Sequence, residues 1–458
     1  MAFSTADIIK LQMTLKGPVF KPGSAEFDQE RAGFNLCVQQ RPALIVSATC
    51  ADDVAAAVRF AARHEMPVSV LATGHGPTGW AEGSLMISTR RMDGLSVDPE
   101  ARTARVEAGV RWQEVIEATA KHGLAGLVGS SPTLGVTSYT LGGGLGPLGR
   151  AYGWAADKVR SLDLVTATGR QLTVTPDEHP ELFWALRGGK GNFGVVTAME
   201  FGLVPVATLY GGTIFFDGAH ADEVLHAYRA WTETVPDQMT SSIALLRLPP
   251  MPDVPPPLQG RLTVAVRIAY VGTPADGEHL VAPLRAVANS LIDTVDEIAY
   301  ADIATVHMDP TQPMPAFERT TALGVLDADA VDAILDLAGP DSDCSLVMVE
   351  IRHLGGALAR QPRHPNAVGN RDAAFTCFAV TMGGPEQAVR IEAALDEVVQ
   401  ALEPWSTGGR LVNFVGAHAP VEDYAAAWDG PTYERLRLVK TMHDPNNVFR
   451  INANVQPL

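Results

Sequence analysis

Basic residues are scarce in this chain. Lys and Arg number 35 against 52 Asp and Glu, a net charge of −17, and no run of five basic residues occurs. Phosphate backbones and anionic lipids are held by clustered cations, so neither nucleic acid nor a membrane surface is an expected partner. Cysteine is also sparse. Cys37, Cys50, Cys344 and Cys377 form no CxxC pair, their spacing matches no zinc site, and nothing in them demands an oxidising compartment. Cys344 and Cys377 lie in or beside strand-like apolar runs, where free thiols are commonly buried. No stretch approaches the roughly 18 uninterrupted apolar residues of a membrane span. The opening MAFSTADIIKLQMTLKGPVF lacks the basic-then-apolar pattern of a secretory leader, so the expectation is a soluble cytoplasmic protein. With 46% hydrophobic and 19% charged residues the chain is globular rather than disordered, and 458 residues suit two or three domains.

Residues 43–73 read as strand, helix, strand. An apolar run from Ala43 to Ser47 precedes a capping-box-like Thr49 and Asp52. Val54, Val58, Ala61 and Ala62 then recur at helical spacing, and Pro67 to Ala72 reads as the second strand. This βαβ pattern predicts parallel pairing. Short strands are predicted at 85–88, 95–98, 103–107 and 159–167, with helices at 112–121 and 181–186. After Pro205 the pattern changes. Helices predicted at 221–233, 277–288, 328–338 and 385–402 alternate with strands at 242–248, 262–271, 345–354 and 375–382, as in an antiparallel sheet with helices on one face. From about Arg410 the chain becomes a compact tail. The fold class is therefore α+β.

Two segments match GxGxxG, Gly74 to Gly79 and Gly144 to Gly149. A dinucleotide fingerprint needs a strand before it and a helix after it. Pro77, Gly79 and Gly83 break any helix after the first, and no strand precedes the second, so nicotinamide-dependent chemistry loses its main support. A third glycine-rich loop spans Gly188 to Gly194. Glycine backbone approaches ligands closely and offers N–H groups to phosphates, and three such loops exceed the needs of ordinary turns.

The segment Leu71-Ala72-Thr73-Gly74-His75-Gly76 resembles the pyrophosphate loop of the berberine bridge enzyme-like FAD-linked oxidases, a branch of the vanillyl-alcohol oxidase superfamily, where R-S-G-G-H is usual. Ser131-Pro132-Thr133-Leu134-Gly135, followed by Leu141-Gly142-Gly143-Gly144-Leu145-Gly146, is similar to the second FAD loop. Gly191-Asn192-Phe193-Gly194-Val195-Val196 is similar to the third. The tail, with Val412-Asn413-Phe414 and Asp444-Pro445-Asn446-Asn447-Val448-Phe449, is similar to the C-terminal signature. The resemblance implies a PCMH-type FAD-binding domain over 1–206, a substrate domain over 207–409 whose sheet roofs the flavin, and a segment over 410–458 returning to the first domain. It also implies a flavoenzyme that oxidises a small organic substrate by hydride transfer and passes the electrons to oxygen or another acceptor. A flavin-dependent oxygenating or cyclising enzyme of natural-product assembly, and a flavin carrier without turnover, stay open as alternatives. Oligomeric state is not legible.

In the family the residue matching His75 bonds to the flavin 8α carbon. Neutral imidazole is a competent nucleophile, and the bond makes the flavin a stronger oxidant. Where many members add a second bond through cysteine this chain has Ser131, and a hydroxyl is far less nucleophilic than a thiolate, so one covalent link through His75 is expected. Leu145 and Phe414 stand where some members place catalytic tyrosines. Leu134 and Thr137 replace the smaller Val and Gly of oxygen-using members, which leaves dehydrogenase activity open.

Strand alternation over 345–354 puts Val347, Val349, Ile351 and His353 on one face and Leu346, Met348, Glu350, Arg352 and Leu354 on the other. With the apolar face on the helices, Glu350 points toward the expected flavin side and is the candidate base, with Arg352 beside it to tune it. Tyr270, on a neighbouring strand, is the reserve candidate. The apolar, glycine-rich surroundings point to an uncharged or aromatic substrate.

Overall fold

The computed structural model describes residues 3–76 and 80–458. Pro77, Thr78 and Gly79 of the first glycine motif lie outside the described residues. Three sheets organise the chain. The first is four-stranded: β1 (Val19–Phe20), β2 (Leu44–Ser47), β3 (Val68–Leu71) and β4 (Leu85–Ser88), in the order β1-β2-β4-β3. The expected parallel pairing is present, but β4 lies between β2 and β3 and is parallel to both. The helix Ala51–Arg63 covers this sheet with Val54, Ala57, Val58 and Ala61. Its start is held differently from the sequence expectation. Asp53, not Asp52, accepts from the Thr49 backbone and hydroxyl and from the N–H groups of Lys16 and Gly17.

The second sheet is antiparallel: β5 (Leu95–Asp98), β6 (Thr103–Glu107), β7 (Val159–Val165), β8 (Gln171–Val174) and β9 (Val195–Gly202), in the order β5-β6-β9-β7-β8. The second and third glycine-rich segments lie between its strands, whereas the first follows β3 of the four-stranded sheet. Gly146 is forced by packing, since a Cβ there would sit 1.7 Å from the Val128 carbonyl oxygen.

The third sheet has eight strands: β10 (Thr208–Asp217), β11 (Met239–Arg247), β12 (Leu262–Tyr270), β13 (Ser290–Asp293), β14 (Asp296–Ala299), β15 (Ala316–Leu323), β16 (Met348–His353) and β17 (Phe375–Met382). Its order is β13-β10-β12-β11-β16-β17-β15, with β14 also paired to β10. The helices Ala221–Thr232, Pro274–Arg285, Ala328–Ala338 and Ala388–Ala401 cover one face, on which Ile243, Val266, Ile268, Val349 and Ile351 form the core. Period-2 alternation then sends Ser242, Arg267, Glu350, Arg352 and Glu318 to the opposite face. The architecture is α+β, as expected. Strands β10 and β15 escaped the sequence reading. The first is largely apolar with a Gly-Gly pair, and the second carries two charges and two threonines, so neither alternates cleanly.

The tail is tied to the glycine loops by buried polar groups. Lys440 Nζ donates to Asp444 at 2.7 Å and to the Asn192 carbonyl at 2.8 Å, and both charged side chains are fully buried. Asp444 also accepts from the N–H groups of Val448 and Phe449. Lys440→Met leaves the carboxylate buried without its cation, which typically costs about 3–5 kcal/mol. The expected outcome is a clearly lower urea midpoint, and an unchanged midpoint would show that the pair does not hold the tail. Among the described residues no helix is long and apolar enough to cross a membrane.

Candidate active site

A cavity of about 880 Å³ lies between the glycine loops and the helix-free face of the eight-stranded sheet, in the upper range for small-molecule sites. Its loop wall includes Ala72, Thr73, Gly74, His75, Gly76, Gly135, Gly191, Gly194 and Val196, and the tail contributes Asn413. These members of the expected cofactor set are thus brought together from four separate stretches of chain.

Others of that set are not at the wall. Ser131 is buried, and its hydroxyl lies 2.8 Å from that of Thr133. Pro132 offers its carbonyl to Gln113 N–H. The neighbouring Ser130, not Ser131, faces the cavity. Gly142 packs against Asn413 and Lys190, Gly143 against Trp154 and Val368, and Gly146 against Val128. Asn192 turns away to clamp the tail through Ala453 and Val455, and Asn447 pairs with Gln456. These residues shape the loops rather than line the space between them.

His75 sits at the end of a braced loop. Arg90 Nε donates to the Ala72 carbonyl, and the N–H groups of Phe34 and Asn35 donate to the carbonyls of Thr73 and Gly74. Gly74 has a φ of +63°, and a Cβ there would lie 2.6 Å from the Gly33 backbone, so the close crossing of these two segments requires glycine. The imidazole stacks on Phe34 with centroids 3.9 Å apart, and its Nδ1 is buried with no hydrogen-bond partner among the described residues. Burial pushes its pKa down to about 4 against the opposing pull of Asp309. The ring is therefore neutral at pH 7, and no described residue hydrogen-bonds to its Nδ1. A partnerless buried ring nitrogen beside a cradle of glycine backbone fits a large phosphate-bearing cofactor attached at this position.

The sheet wall carries the charged groups. Glu350 is 0% exposed and is not part of the cavity wall. It accepts from Arg267 at 2.6 Å, Ser242 at 2.7 Å and Arg352 at 2.7 Å, with His307 3.8 Å away. Burial alone would raise its pKa, but Arg352 and Arg267, with smaller help from His307 and Ser242, hold it well below the usual carboxylate range. A carboxylate this strongly ionised and enclosed is a poor proton acceptor. Arg352 does reach the cavity, with its guanidinium carbon 5.0 Å from the Phe414 ring centre and 5.7 Å from that of Phe378. Tyr270 does not. It lies at the end of β12 within the helix-side core, its ring crowding Gly272.

Two further ionisable groups line the cavity. Burial raises Glu318 on β15 to about 7, against the pull of Lys190 and Arg319. Burial lowers Lys190 to about 8, against the pull of Glu318. Glu318 is partly exposed and is one of the residues that line the cavity. Tyr139 also lines the cavity, its hydroxyl buried without a partner among the described residues and its pKa driven well above normal by burial. Sequence reasoning missed Glu318 because its strand went unread, and missed Lys190 because it stands among glycines as a lone cation.

Comparison with known proteins bears on this arrangement. Residues 42–175 match a family described as FAD binding domain, and residues 412–456 match one described as berberine and berberine like. The (R)-6-hydroxynicotine oxidase of Paenarthrobacter nicotinovorans is 28% identical, covering 97% of this chain and 98% of that protein. An FAD-linked oxidoreductase of Dictyostelium discoideum is 27% identical over 97% of this chain and 96% of that one. The crystal structure of 6-hydroxy-D-nicotine oxidase from Arthrobacter nicotinovorans superposes with a TM-score of 0.84 at 27% identity, covering 97% of this chain and 99% of that one. A carbohydrate oxidase from Microdochium nivale shares the fold, with a TM-score of 0.85 at 20% identity over 99% of this chain and 100% of that one.

Proposed function

We propose that this chain, a berberine bridge enzyme-like FAD-linked oxidoreductase, holds FAD by one covalent bond through His75 and oxidises a small organic substrate at the cavity wall opposite. The observation that carries the reading is the neutral, partnerless imidazole of His75 at the edge of a cavity framed by three glycine loops. Ala72 to Gly76, Gly135, Gly191, Gly194, Val196 and Asn413 hold the cofactor. Ser131 makes no second bond, since its hydroxyl is engaged with Thr133. When bound, the flavin supplies a hydride acceptor and passes electrons on to oxygen or another acceptor. The division into 1–206, 207–409 and 410–458 belongs to this reading: cofactor loops, substrate sheet and a tail that locks the loops.

Glu318 is the group assigned to take the substrate proton. It faces the cavity, and burial holds it near neutrality, so it can accept a proton and release it again. Glu350 is a positioning residue that orients Arg267 and Arg352. The test of the whole reading is acid precipitation of the purified protein. A pellet that stays yellow, with intact mass raised by one flavin, is expected. Colour that washes out completely would refute the covalent bond.

Leu134 and Thr137 both line the cavity, and their bulk is taken to slow oxygen. Leu134→Val is therefore expected to speed flavin reoxidation severalfold in stopped-flow mixing with oxygenated buffer. A fast wild type that the substitution leaves unchanged would discard the idea.

A further inference from the structure

We infer that the cavity selects an organic anion, with a flat or aromatic monocarboxylate the simplest case, and that Arg352 is its anchor. The inference rests on the proposed function only in taking this cavity as the substrate site. It departs from the uncharged ligand that the apolar, glycine-rich loops suggest.

The charge count comes first. Arg267 and Arg352 both contact Glu350, and two guanidiniums against one carboxylate leave one positive charge. His307 does not offset it, because burial and the two arginines push its pKa down and keep it neutral. Glu318 and Lys190 on the same wall are of opposite sign and offset each other. Asp253 and Asp309 also border the cavity, but on loops more open to solvent, where water and salt weaken their influence.

Directionality comes next. Glu350 receives Arg352 through Nε alone. Its other oxygen is taken by Arg267 Nη1 and Ser242 Oγ. Among the described residues no protein atom accepts from Arg352 Nη1 or Nη2. Yet Arg352 is only 7% exposed, and what it exposes is cavity wall. A guanidinium held in place at Nε, with its fork of donors free at a mostly apolar cavity wall, is oriented for a planar acceptor pair such as a carboxylate. Leaving those donors unmatched in a buried site is costly, so a ligand that lacks an anionic acceptor forfeits the interaction.

Shape supplies the rest of the class. Phe378 and Phe414 meet edge to face with centroids 4.9 Å apart, and both flank the Arg352 guanidinium. Leu145, Met348 and Val380 extend the apolar wall. The pocket around the cation thus suits a flat apolar body ending in negative charge.

Isothermal titration calorimetry on the purified full chain tests this with benzoate, benzamide and benzylamine. Benzoate is expected to bind about tenfold to a hundredfold more tightly than benzamide, the usual worth of a charged over a neutral hydrogen-bonded pair, with benzylamine weakest. Arg352→Lys, which keeps the charge but loses the fork, should weaken benzoate about tenfold and leave benzamide unchanged. If that variant fails to fold, the three-ligand series on the unaltered protein still decides. Benzoate binding no better than benzamide, or not at all, overturns the inference, as does preference for benzylamine. The acid-pellet colour separates the two readings: a colourless pellet with benzoate preference defeats only the flavin bond, and a yellow pellet without it defeats only the anion site.

Discussion

His75→Ala is expected to abolish flavin attachment completely while the chain still folds. The side chain makes no hydrogen bond to a described residue, and its Nδ1 is buried. What the fold loses is the stack on Phe34 at 3.9 Å, worth roughly 0.5–1.5 kcal/mol. The loop itself is held by Arg90, Phe34 and Asn35 through backbone carbonyls that the substitution leaves in place. Acid-precipitated variant should be colourless, with the mass of the bare polypeptide and an unchanged far-ultraviolet circular dichroism spectrum. Ser131→Ala should keep the full flavin load, because Ser131 is turned toward Thr133 and away from the cavity. Attachment that survives in His75→Ala, or vanishes in Ser131→Ala, would refute the single-site account.

Glu318→Gln should lower the rate of anaerobic flavin reduction by about a hundredfold or more, the usual effect of removing a general base. The pH dependence makes the claim sharper. Burial raises Glu318 to about 7, so below that pH the carboxyl is protonated and cannot act as base. The rate of the unaltered enzyme should therefore fall about tenfold per unit on the acid side of that value. Lys190 favours the ionised form of Glu318, so Lys190→Met should move this limb to higher pH. A purely structural Glu318 would leave the limb where it was. Reduction within a few-fold of normal in Glu318→Gln would return the role to another group, with Lys190, lowered to about 8 and on the cavity wall, the next candidate. Glu350→Gln should act differently. Its loss frees Arg267 and Arg352, so substrate affinity changes more than the pH limb does.

Much of the architecture was legible because local patterns were clean. Ala43 to Ser47 and Pro67 to Ala72 are apolar runs on either side of a 3.6-period helix, and they became β2, β3 and Ala51–Arg63. The insertion of β4 between them was not legible, because strand order depends on contacts between segments that spacing does not encode. Within Met348–His353 the two faces were assigned correctly, with Val349 and Ile351 packed on the helices. Ahead of the strand the alternation fails: Leu346 packs in the helix-side core and Val347 lines the cavity. The role of Glu350 does not follow from that assignment. Alternation says which way a side chain points, but Arg267, 83 residues away in sequence, arrives at 2.6 Å and makes the carboxylate a buried counter-ion.

The sequence alone determined the class of protein. Glycine loops at three places, a histidine between glycines and a patterned tail are local features, and each carries its chemistry wherever the chain takes it. The composition likewise disfavoured nucleic acid from the count of charges alone. Only the tertiary structure decided which groups face the cavity. Glu318 and Lys190 come from a sheet strand and a loop 128 residues apart, and burial moves both toward neutral pH. The free fork of Arg352 exists because Glu350 occupies its Nε and Arg267 occupies Glu350. Burial and pairing of this kind are properties of neighbours in space, and a one-dimensional pattern does not specify them.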